Sequence, residues 1–353
     1  MGTQSYTREE IYSQPDSWER ALRQAERQRA ELTDLLTDDR SRPLLFVGCG
    51  SSFYLGLLLA WLGRIILGRP TAATVASEVL FFPQALPAPD ASLLALLLSR
   101  TGRTTETVRA AQVLAQRHGV LTVGVTCEPG SPLETAAARA IVLDDPPERS
   151  TVMTRQFGAL LLLVLRIFGY AAGDAALDAG LTRLPELCRR VLEQYTPAIE
   201  QFVATATIER GIFLGQGPAY ALACEGALKL NEMSLTPTNA YHSLEYRHGP
   251  IATTTPGVAA IMLITDAAAR EEVVLAQELR NLGARILVVC DQAPAELAGG
   301  ADCLVELKTG LPDHLRVPLY LPVLHLVGLF QAAQRGINPD NPPHLNRYVT
   351  LET

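Results

Sequence analysis

The two halves of the chain open with the same pattern, an apolar run followed by a Gly-x-Gly turn and a helix-forming segment. The first copy reads LLFVGCGSSFYLGLLLAWL and the second reads GIFLGQGPAYALACEGALKL. A short apolar strand, a glycine turn and a helix together form the opening unit of a parallel α/β sheet. Two copies of this unit predict two α/β domains that arose by duplication.

Apolar, strand-like runs continue to alternate with helical patterns after each opening, as expected where helices connect parallel strands. The predicted strands are Leu44–Val47, Thr74–Ala76, Leu93–Leu98, Leu121–Thr126, Ala140–Leu143, Ile212–Leu214, Val258–Ile264, Ile286–Val289 and Cys303–Leu307. The predicted helices are Ser52–Leu67, Thr104–His118, Thr154–Tyr170, Leu181–Phe202, Pro218–Ser234, Ala267–Leu282 and Val317–Arg335. We therefore expect a helical segment over residues 1–40, domains over 41–200 and 201–335, and a tail over 336–353 that contributes to the site.

The composition of the chain argues against some classes of function. The chain has 353 residues, of which 48% are hydrophobic and 19% charged, and its formal net charge is -7. This length suits two domains, and this balance argues against disorder and against a nucleic-acid-binding surface. A sugar phosphate or a single nucleotide stays possible, because such a ligand needs only a local anion pocket.

The cysteines and the apolar segments predict no metal site, no disulfide framework and no membrane span. There is no CxxC pair and no zinc-like histidine spacing, so we expect no metal, no disulfide framework and reduced thiols in a cytoplasmic protein. The N-terminus lacks the apolar core of a secretory signal. The runs Leu160–Phe168 and Val317–Phe330 are short or interrupted, which predicts buried helices rather than membrane spans. The six cysteines are Cys49, Cys127, Cys188, Cys224, Cys290 and Cys303.

Two turns in the first half have the composition of an anion site. Strand-to-helix turns at the carboxyl ends of parallel strands present free N–H groups, which favour a phosphate. Helix capping alone would explain either turn, but two such turns in one sheet favour a phosphate site. Neither a Walker motif nor a full Gly-x-Gly-x-x-Gly follows, so we expect a phosphorylated small metabolite rather than a nucleotide. The turns are Gly48-Cys49-Gly50-Ser51-Ser52 and Ser99-Arg100-Thr101-Gly102-Arg103-Thr104-Thr105-Glu106.

The second half carries a cluster of acid-base residues in EGALKLNEMSLTPTNAYHSLEYRHGP. Glu225, Lys229 and Glu232 fall on one helix face, where Lys229 can influence both carboxylates. The alternative is a solvated helix face with an ordinary ion pair. A loop with His242, Glu245, Arg247 and His248 is expected to follow this helix.

In this order the motifs resemble the tandem sugar isomerase (SIS) domain family over nearly the whole chain. The two turns, Glu225-Gly-Ala-Leu-Lys229-x-x-Glu232 and Arg247-His248-Gly249-Pro250 are similar to the isomerase half of the glucosamine-6-phosphate synthases. REEIYSQPDSWERAL and the segment ending in Asn346-Arg347 are closer to the ketose/aldose isomerases and deaminases of amino-sugar phosphates. The resemblance implies two tandem SIS domains, each a parallel sheet flanked by helices.

The resemblance also implies roles for individual residues. Glu232 would be the base that moves a proton between C1 and C2 of the open-chain sugar. His248 would assist ring opening, typically across the subunit boundary of a homodimer, and Lys229 would orient or polarise the substrate. His248 has a packing or capping alternative, and a structural role is at least equally plausible for His242 and Glu245. The expected phosphate and substrate residues are Gly50, Ser51, Ser52, Ser99, Arg100, Thr101 and Thr104.

Two departures from the synthases narrow the expected reaction. The sequence begins almost at the sugar-binding half, so we expect no glutaminase domain and no ammonia supply from glutamine. The synthases have a C-terminal lysine that can form a Schiff base, and Arg347 stands at the corresponding position. A guanidinium stays protonated and is a poor nucleophile, although it can still pair with a phosphate or a sugar oxygen.

These features predict an enzyme that isomerises and deaminates an amino-sugar 6-phosphate without a metal or organic cofactor. One alternative is a deglycase acting on a phosphorylated fructosamine. A second alternative is a non-catalytic sugar-phosphate regulator, although no helix-turn-helix or basic segment is evident. The expected partners are a small-molecule sugar phosphate and a second copy of the chain, with no nucleic acid and no membrane.

Overall fold

The computed structural model describes residues 5–86, 92–297 and 299–351, and it contains two sheets of five strands each. All strand pairs among these residues are parallel. The strands of the first sheet are β1 (Leu44–Gly48), β2 (Thr71–Val75), β3 (Leu93–Leu98), β4 (Val120–Thr126) and β5 (Arg139–Val142). Those of the second are β6 (Arg210–Gly215), β7 (Thr238–His242), β8 (Val258–Leu263), β9 (Arg285–Cys290) and β10 (Cys303–Glu306).

The two sheets have the same strand order. It is β2-β1-β3-β4-β5 in the first sheet and, read from the corresponding edge, β7-β6-β8-β9-β10 in the second. In each sheet the second strand along the chain pairs on one side of the first, and the third strand pairs on its other side. This confirms the predicted α/β class with two parallel sheets, and the shared order agrees with duplication.

The chain divides into two compact units, each built around one sheet. The first unit comprises Asp16–Glu148, Arg155–Thr182 and Asn346–Thr353, and the second comprises Met1–Pro15, Arg149–Thr154 and Arg183–Leu345. Helices α2 (Gln14–Arg27), α3 (Arg29–Thr37), α4 (Ser51–Leu67), α5 (Ala76–Phe81), α6 (Thr105–Ala115), α7 (Pro132–Ala136) and α8 (Arg155–Ala172) belong wholly or mainly to the first. Helices α1 (Tyr6–Tyr12), α10 (Ala219–Ser234), α11 (Ala269–Asn281), α12 (Asp313–Arg316) and α13 (Leu321–Gln334) belong to the second, and α9 (Ala175–Thr205) continues from one into the other.

The second sheet is covered by helices on both faces, so each helix can be assigned to one face of the sheet. On one face, Ile212 and Leu214 pack in a cluster with residues of α11 and with Tyr246. On the other face, Phe213 packs closely against α10, because Gly226 has no side chain to keep the ring away. Alternate residues of a strand point to opposite faces, so α10 and α11 lie on opposite sides of this sheet.

Two edge strands differ from the sequence-based prediction. Strand β2 was expected at Thr74–Ala76, but it spans Thr71–Val75 and Ala76 already begins α5. Strand β7 was expected to be a loop, yet Thr238–His242 pairs with β6 along its whole length. Both strands lie at a sheet edge and are only partly buried. They therefore lack the continuous apolar run that marked the central strands.

The apolar helices also differ in detail from their predicted bounds. Helix α9 runs unbroken through two internal prolines, and the predicted helix Val317–Arg335 begins with a 3₁₀ turn before α13. By length and composition, the stretches Arg155–Ala172 and Asp313–Gln334 could cross a bilayer, but 83% and 100% of their apolar windows are buried inside the structure. This agrees with the prediction of buried core helices.

Helix α2 packs closely against α8 in the first unit, and a substitution at Gly158 tests this contact. A Cβ at Gly158 would lie 2.2 Å from Nε1 of Trp18, which is fully buried, whereas a Cβ at Gly169 on the same helix would meet only the flexible Leu177 at 3.3 Å. We expect Gly158→Ala to lower the free energy of unfolding by about 1–3 kcal/mol through overpacking. Urea denaturation followed by tryptophan fluorescence measures the change, with Gly169→Ala as the matched control. Equal stability of the two variants would contradict this packing.

Candidate active site

The turn between β1 and α4 brings the backbone of the first unit close to its own helix terminus. A Cβ at Gly48 would lie 2.7 Å from the carbonyl carbon of Ser52, and Gly50 has a φ of 53°. Glycine meets both requirements at low cost. The predicted residues Ser51 and Ser52 form the first turn of α4, and both are largely buried.

The turn between β3 and α6 is organised by its own hydroxyl groups. The amide of Gly102 donates to Ser99 Oγ at 3.1 Å, and Ser99 Oγ lies 3.3 Å from Thr104 Oγ1. The amide of Arg103 donates to Thr101 Oγ1 at 3.2 Å. Gly102 has a φ of 61°, and a Cβ there would lie 2.2 Å from a neighbouring serine oxygen. The loop therefore needs glycine here and keeps its hydroxyls clustered at the start of α6.

Both turns leave the sheet at its topological switch point. Strand β1 pairs with β2 on one side and with β3 on the other, so the connections from β1 and β3 leave a crevice at the carboxyl edge between them. Open α/β sheets bind ligands at this kind of crevice. Cys49 Sγ in the first turn lies 3.7 Å from Thr107 Oγ1 in α6, which links the two turns. The two predicted phosphate turns therefore border one crevice.

Arg100 is paired inside the first unit. Its Nη1 donates to Glu148 Oε2 at 2.9 Å, and both side chains are buried. The other oxygen of Glu148 accepts from the amide of Gln156 at 3.2 Å, at the start of α8. The positive charge of Arg100 is thus already matched by a carboxylate, and a direct role for Arg100 in phosphate binding stays a prediction.

The C-terminal tail docks beside the second turn. Arg347 Nη2 lies 3.3 Å from one carboxylate oxygen of Glu128, and Arg103 Nε donates to the other at 3.2 Å. The amide of Thr105, at the start of α6, donates to the carbonyl of Val349 at 3.2 Å. Arg347 is therefore held in the same unit as the phosphate turns, with a carboxylate between it and Arg103.

The predicted acid-base stripe on α10 is present, and it is not a solvated face. Lys229 Nζ lies 3.6 Å from Glu225 Oε1 and is hydrogen-bonded to Glu232 Oε2. The side chains of Lys229 and Glu225 are 1% and 0% exposed, whereas that of Glu232 is 18% exposed. The solvated-face alternative is therefore wrong, because only Glu232 reaches solvent.

A buried histidine borders this cluster. His325 on α13 is fully buried, and burial, together with the nearby charge of Lys229, lowers its pKa to about 3. The imidazole is therefore neutral at physiological pH. The positive charge of Lys229 is therefore matched by Glu225 and Glu232, and His325 adds no second charge near it.

The segment that follows β7 presents His248 and Glu245 to solvent, while its other residues are anchored. Ser243 donates to Glu272, and Tyr246, which is fully buried, has its hydroxyl 2.9 Å from Thr254 Oγ1. The exposed positions are therefore presented by a fixed backbone. A packing role for His248 finds no support in its exposure.

His242 has different surroundings from His248. It ends β7, and its ring stacks on Tyr220 with 3.7 Å between ring centroids and 18° between planes. Burial lowers its pKa, which the nearby Glu245 opposes. These contacts agree with the structural alternative for His242.

Glu232 and the residues next to His248 pack on different faces of the second sheet. Glu232 belongs to α10, whereas Tyr246, two residues before His248, packs in the cluster on the α11 side. Arg247 also donates to Glu278 of α11 at 2.8 Å. The backbone that carries His248 is therefore held against α11 rather than against α10.

The described residues contain no group of three or more metal-ligating side chains, and their six cysteines are free. Burial raises the pKa of Cys49, which lies in the first turn, above its ordinary value. A neutral thiol is a weak nucleophile.

A family model described as the SIS domain matches residues 39–166 and 207–320, which together make up more than half of the chain. The chain belongs to the SIS domain family. Glutamine–fructose-6-phosphate aminotransferase [isomerizing] of Methanothermobacter thermautotrophicus is 29% identical over 88% of this chain and 52% of the relative. The chain thus spans about half the length of the curated relatives it matches.

Two solved structures resemble nearly the whole chain. Glucosamine-6-phosphate deaminase from Thermotoga maritima is 30% identical, with a TM-score of 0.78 over 98% of this chain and 100% of that one. Tagatose-6-phosphate ketose/aldose isomerase from Escherichia coli is 21% identical, with a TM-score of 0.87 over 99% and 96% of the two chains. The second likeness supports the fold alone.

Sequence reasoning missed three carboxylates that bond residues of the candidate site. Glu148 pairs with Arg100, Glu128 lies between two arginines, and Glu272 accepts from Ser243. None belongs to the motifs that mark the turns or the α10 stripe. Each lies in a polar stretch of sequence, DDPPERS, TCEPGSP and AREEVV, and such stretches are common on protein surfaces, so no local signal marks these residues.

The Arg100–Glu148 pair gives a stability test within the first unit. We expect Glu148→Ala to lower the free energy of unfolding by about 3–5 kcal/mol, because it leaves a buried guanidinium without this carboxylate. Glu128→Ala is the matched control, and since its ion pairs are partly exposed it should cost about 1 kcal/mol or less. Denaturant unfolding of both variants measures the difference. Similar losses would show that burial does not set the strength of these pairs.

Proposed function

We propose that this SIS protein isomerises and deaminates an amino-sugar 6-phosphate, producing a ketose phosphate and ammonia. The observation that carries the proposal is a partly exposed Glu232 hydrogen-bonded to a buried Lys229. A base must reach the substrate while its own position stays fixed. The 30% identity to the T. maritima deaminase, over nearly the full length of both chains, supports the same reaction class.

The proposed reaction needs no external oxidant or reductant. After ring opening, the Glu232 carboxylate removes the proton from C2, which carries the amine, and electrons shift towards the C1 aldehyde. The proton returns to C1, O1 gains a proton and the amine nitrogen loses one, so that C1 becomes an alcohol carbon and C2 an imine. Water adds to the C2 imine, the C–N bond breaks, and ammonia leaves a ketone at C2. One water is consumed, and no metal or organic cofactor takes part.

The phosphate would be held at the crevice of the first sheet. Its donors are hydroxyls and amides at a switch point and at helix N-termini, the chemistry that binds anions. Arg347, which the tail holds beside the second turn, would add positive charge. The proposed binding residues are Gly50, Ser51, Ser52, Ser99, Arg100, Thr101, Thr104 and Arg347. We place the reaction in the cytoplasm, with which the six free thiols are compatible.

We also propose that the working enzyme is a homodimer that shares its active sites. His248 would assist ring opening, and Glu232 would then move the proton on the same sugar. Within one chain, Glu232 lies on α10, whereas the residues next to His248 pack on the α11 side of the sheet. One substrate would therefore meet Glu232 of one copy and His248 of another.

The base role predicts that Glu232→Gln abolishes turnover. Loss of a general base costs about 10²–10⁴-fold, so ammonia release from amino-sugar 6-phosphates should fall at least 100-fold while calorimetric binding of the phosphorylated sugar is kept. Asn231→Ala, its exposed neighbour on α10, is the matched control.

The same assay separates the alternatives when wild type is given a panel of 6-phosphorylated amino sugars, ketoses and fructosamines. Release of a free amino acid or amine from fructosamines, without ammonia from amino sugars, would identify a deglycase. Tight binding with no turnover of any compound would identify a regulator. Full turnover by Glu232→Gln would remove Glu232 from the base role.

Sharing of the sites predicts complementation between two inactive variants. Glu232→Gln and His248→Ala are co-expressed with different tags, and the mixed dimer is purified through both tags. If each site takes one residue from each copy, one of the two sites is intact, and the mixed dimer should show about half of the wild-type activity. Each variant alone supplies the baseline. A mixed dimer no more active than either variant would rule out sharing.

A further inference from the structure

The carboxyl edge of the second sheet has the same crevice as the first, but side chains of the protein fill it. Strand β6 pairs with β7 on one side and β8 on the other, so the connections after these strands border a switch point. Glu272, near the start of α11, joins the two sides of this crevice. Its carboxylate accepts from Ser243, just after β7, and from the amide of Thr265, just after β8, at 3.1 Å.

A second internal carboxylate takes up further amides of the same edge. Asp313 accepts from the amides of Asp266 and Ala267 at 3.0 and 3.3 Å. Arg316 pairs with both Asp266 and Asp313. The amides of the connection after β8, from Thr265 to Ala267, are thus bound to the chain's own carboxylates rather than left open to a phosphate.

Burial of the Glu272 carboxylate is energetically unfavourable, so its hydrogen bonds must offset this cost. The side chain is fully buried, and burial raises its pKa to about 7, an effect that Asp313 increases and the hydrogen bonds from Ser243 and Thr265 oppose. A carboxylate in this setting destabilises the fold unless its hydrogen bonds compensate. Both hydrogen bonds join α11 to connections at the edge of the sheet, and one of them reaches the segment that presents His248.

The segment from Ser243 to His248 is tied to α11 at two points. Ser243 bonds Glu272, and Arg247 Nε donates to Glu278 at 2.8 Å. The acceptors Glu272 and Glu278 are six positions apart on α11, which corresponds to a rise of about 9 Å along the helix. The first tie is buried and the second is partly exposed. The buried tie is therefore the one that water competes with least.

We infer that Glu272 is a positioning residue that fixes, through Ser243, the segment presenting His248 to the substrate. The inference rests on the proposed function of His248. Glu272 itself touches no substrate in this scheme. Its carboxylate occupies the second switch point so that the backbone after β7 has one conformation.

The test compares Glu272→Ala, Glu272→Gln and Ser243→Ala with wild type in the full-length protein. A glutamine can still accept from the Thr265 amide and donate to Ser243 Oγ, so Glu272→Gln should keep the segment in place. Hydrogen exchange of the amides of residues 243–248 should speed up at least about 10-fold in Glu272→Ala and less in Ser243→Ala. Exchange in α10 should not change. Glu271→Ala, the exposed neighbour on α11, is the matched control.

Kinetics then distinguish positioning from general destabilisation. In Glu272→Ala, kcat for an amino-sugar 6-phosphate should fall about 10–100-fold, the effect of a misplaced group, while KM changes little. In the His248→Ala background, Glu272→Ala should cost nothing further, because both changes remove one function. An additional loss there, or failure of Glu272→Gln to restore kcat, would show that Glu272 acts by another route.

The hydrogen-exchange measurement does not depend on whether the protein catalyses the proposed reaction. If the segment exchanges like wild type in both Glu272→Ala and Ser243→Ala, the positioning role is wrong even for an active enzyme. If exchange in residues 243–248 speeds up as expected but the wild-type protein turns over no sugar phosphate, the proposed function is wrong. The role of Glu272 in holding this segment is then still supported. Ser243→Ala leaves the Thr265 contact intact, so it decides the question if Glu272→Ala does not fold.

Discussion

Each sheet is parallel throughout, and this constraint determines where side chains can meet a ligand. A parallel strand must be followed by a connection that returns to the opposite edge, so the carboxyl ends of all five strands share one edge. Because β1 and β6 are each flanked by the next two strands of the chain, the connections diverge there and leave a crevice. Glycine is needed where the backbone enters the crevice, as at Gly102. The remaining chemistry depends on which polar groups the sequence supplies at that edge.

Charge burial on α10 is the second organising feature. Lys229 and Glu225 have almost no exposed surface, and such burial is tolerated only when opposite charges are matched. His325 contributes by staying neutral, since a second positive charge beside Lys229 would have no carboxylate of its own. The pair leaves Glu232 as the one member of the stripe with solvent access. A carboxylate anchored on one side and open on the other suits proton transfer on a bound sugar.

The sequence predicted the central strands, the two turns and the α10 stripe, because each has a local physical signature. Continuous apolar runs mark buried parallel strands, and glycines with hydroxyl residues mark the turns. Strand β7 has no such signature, since Thr238–His242 is polar, partly buried and stabilised by pairing with β6. Glu148 and Glu272 were missed for a related reason. Their importance comes from partners 48 and 29 residues away in the chain, Arg100 and Ser243, which no local pattern records.

The duplicated crevices show how one architecture can take on two tasks. In the first sheet, hydroxyls from Ser99, Thr101 and Thr104 cluster at the edge, and such neutral donors can accept an anion. In the second, the amides after β8 already bond to Glu272 and Asp313, so they are not available to a phosphate. Under the proposed function only the first crevice binds substrate. Under that proposal the second sheet carries the acid-base groups instead, with Glu232 on α10 and the segment presenting His248 bonded to α11 on the other face.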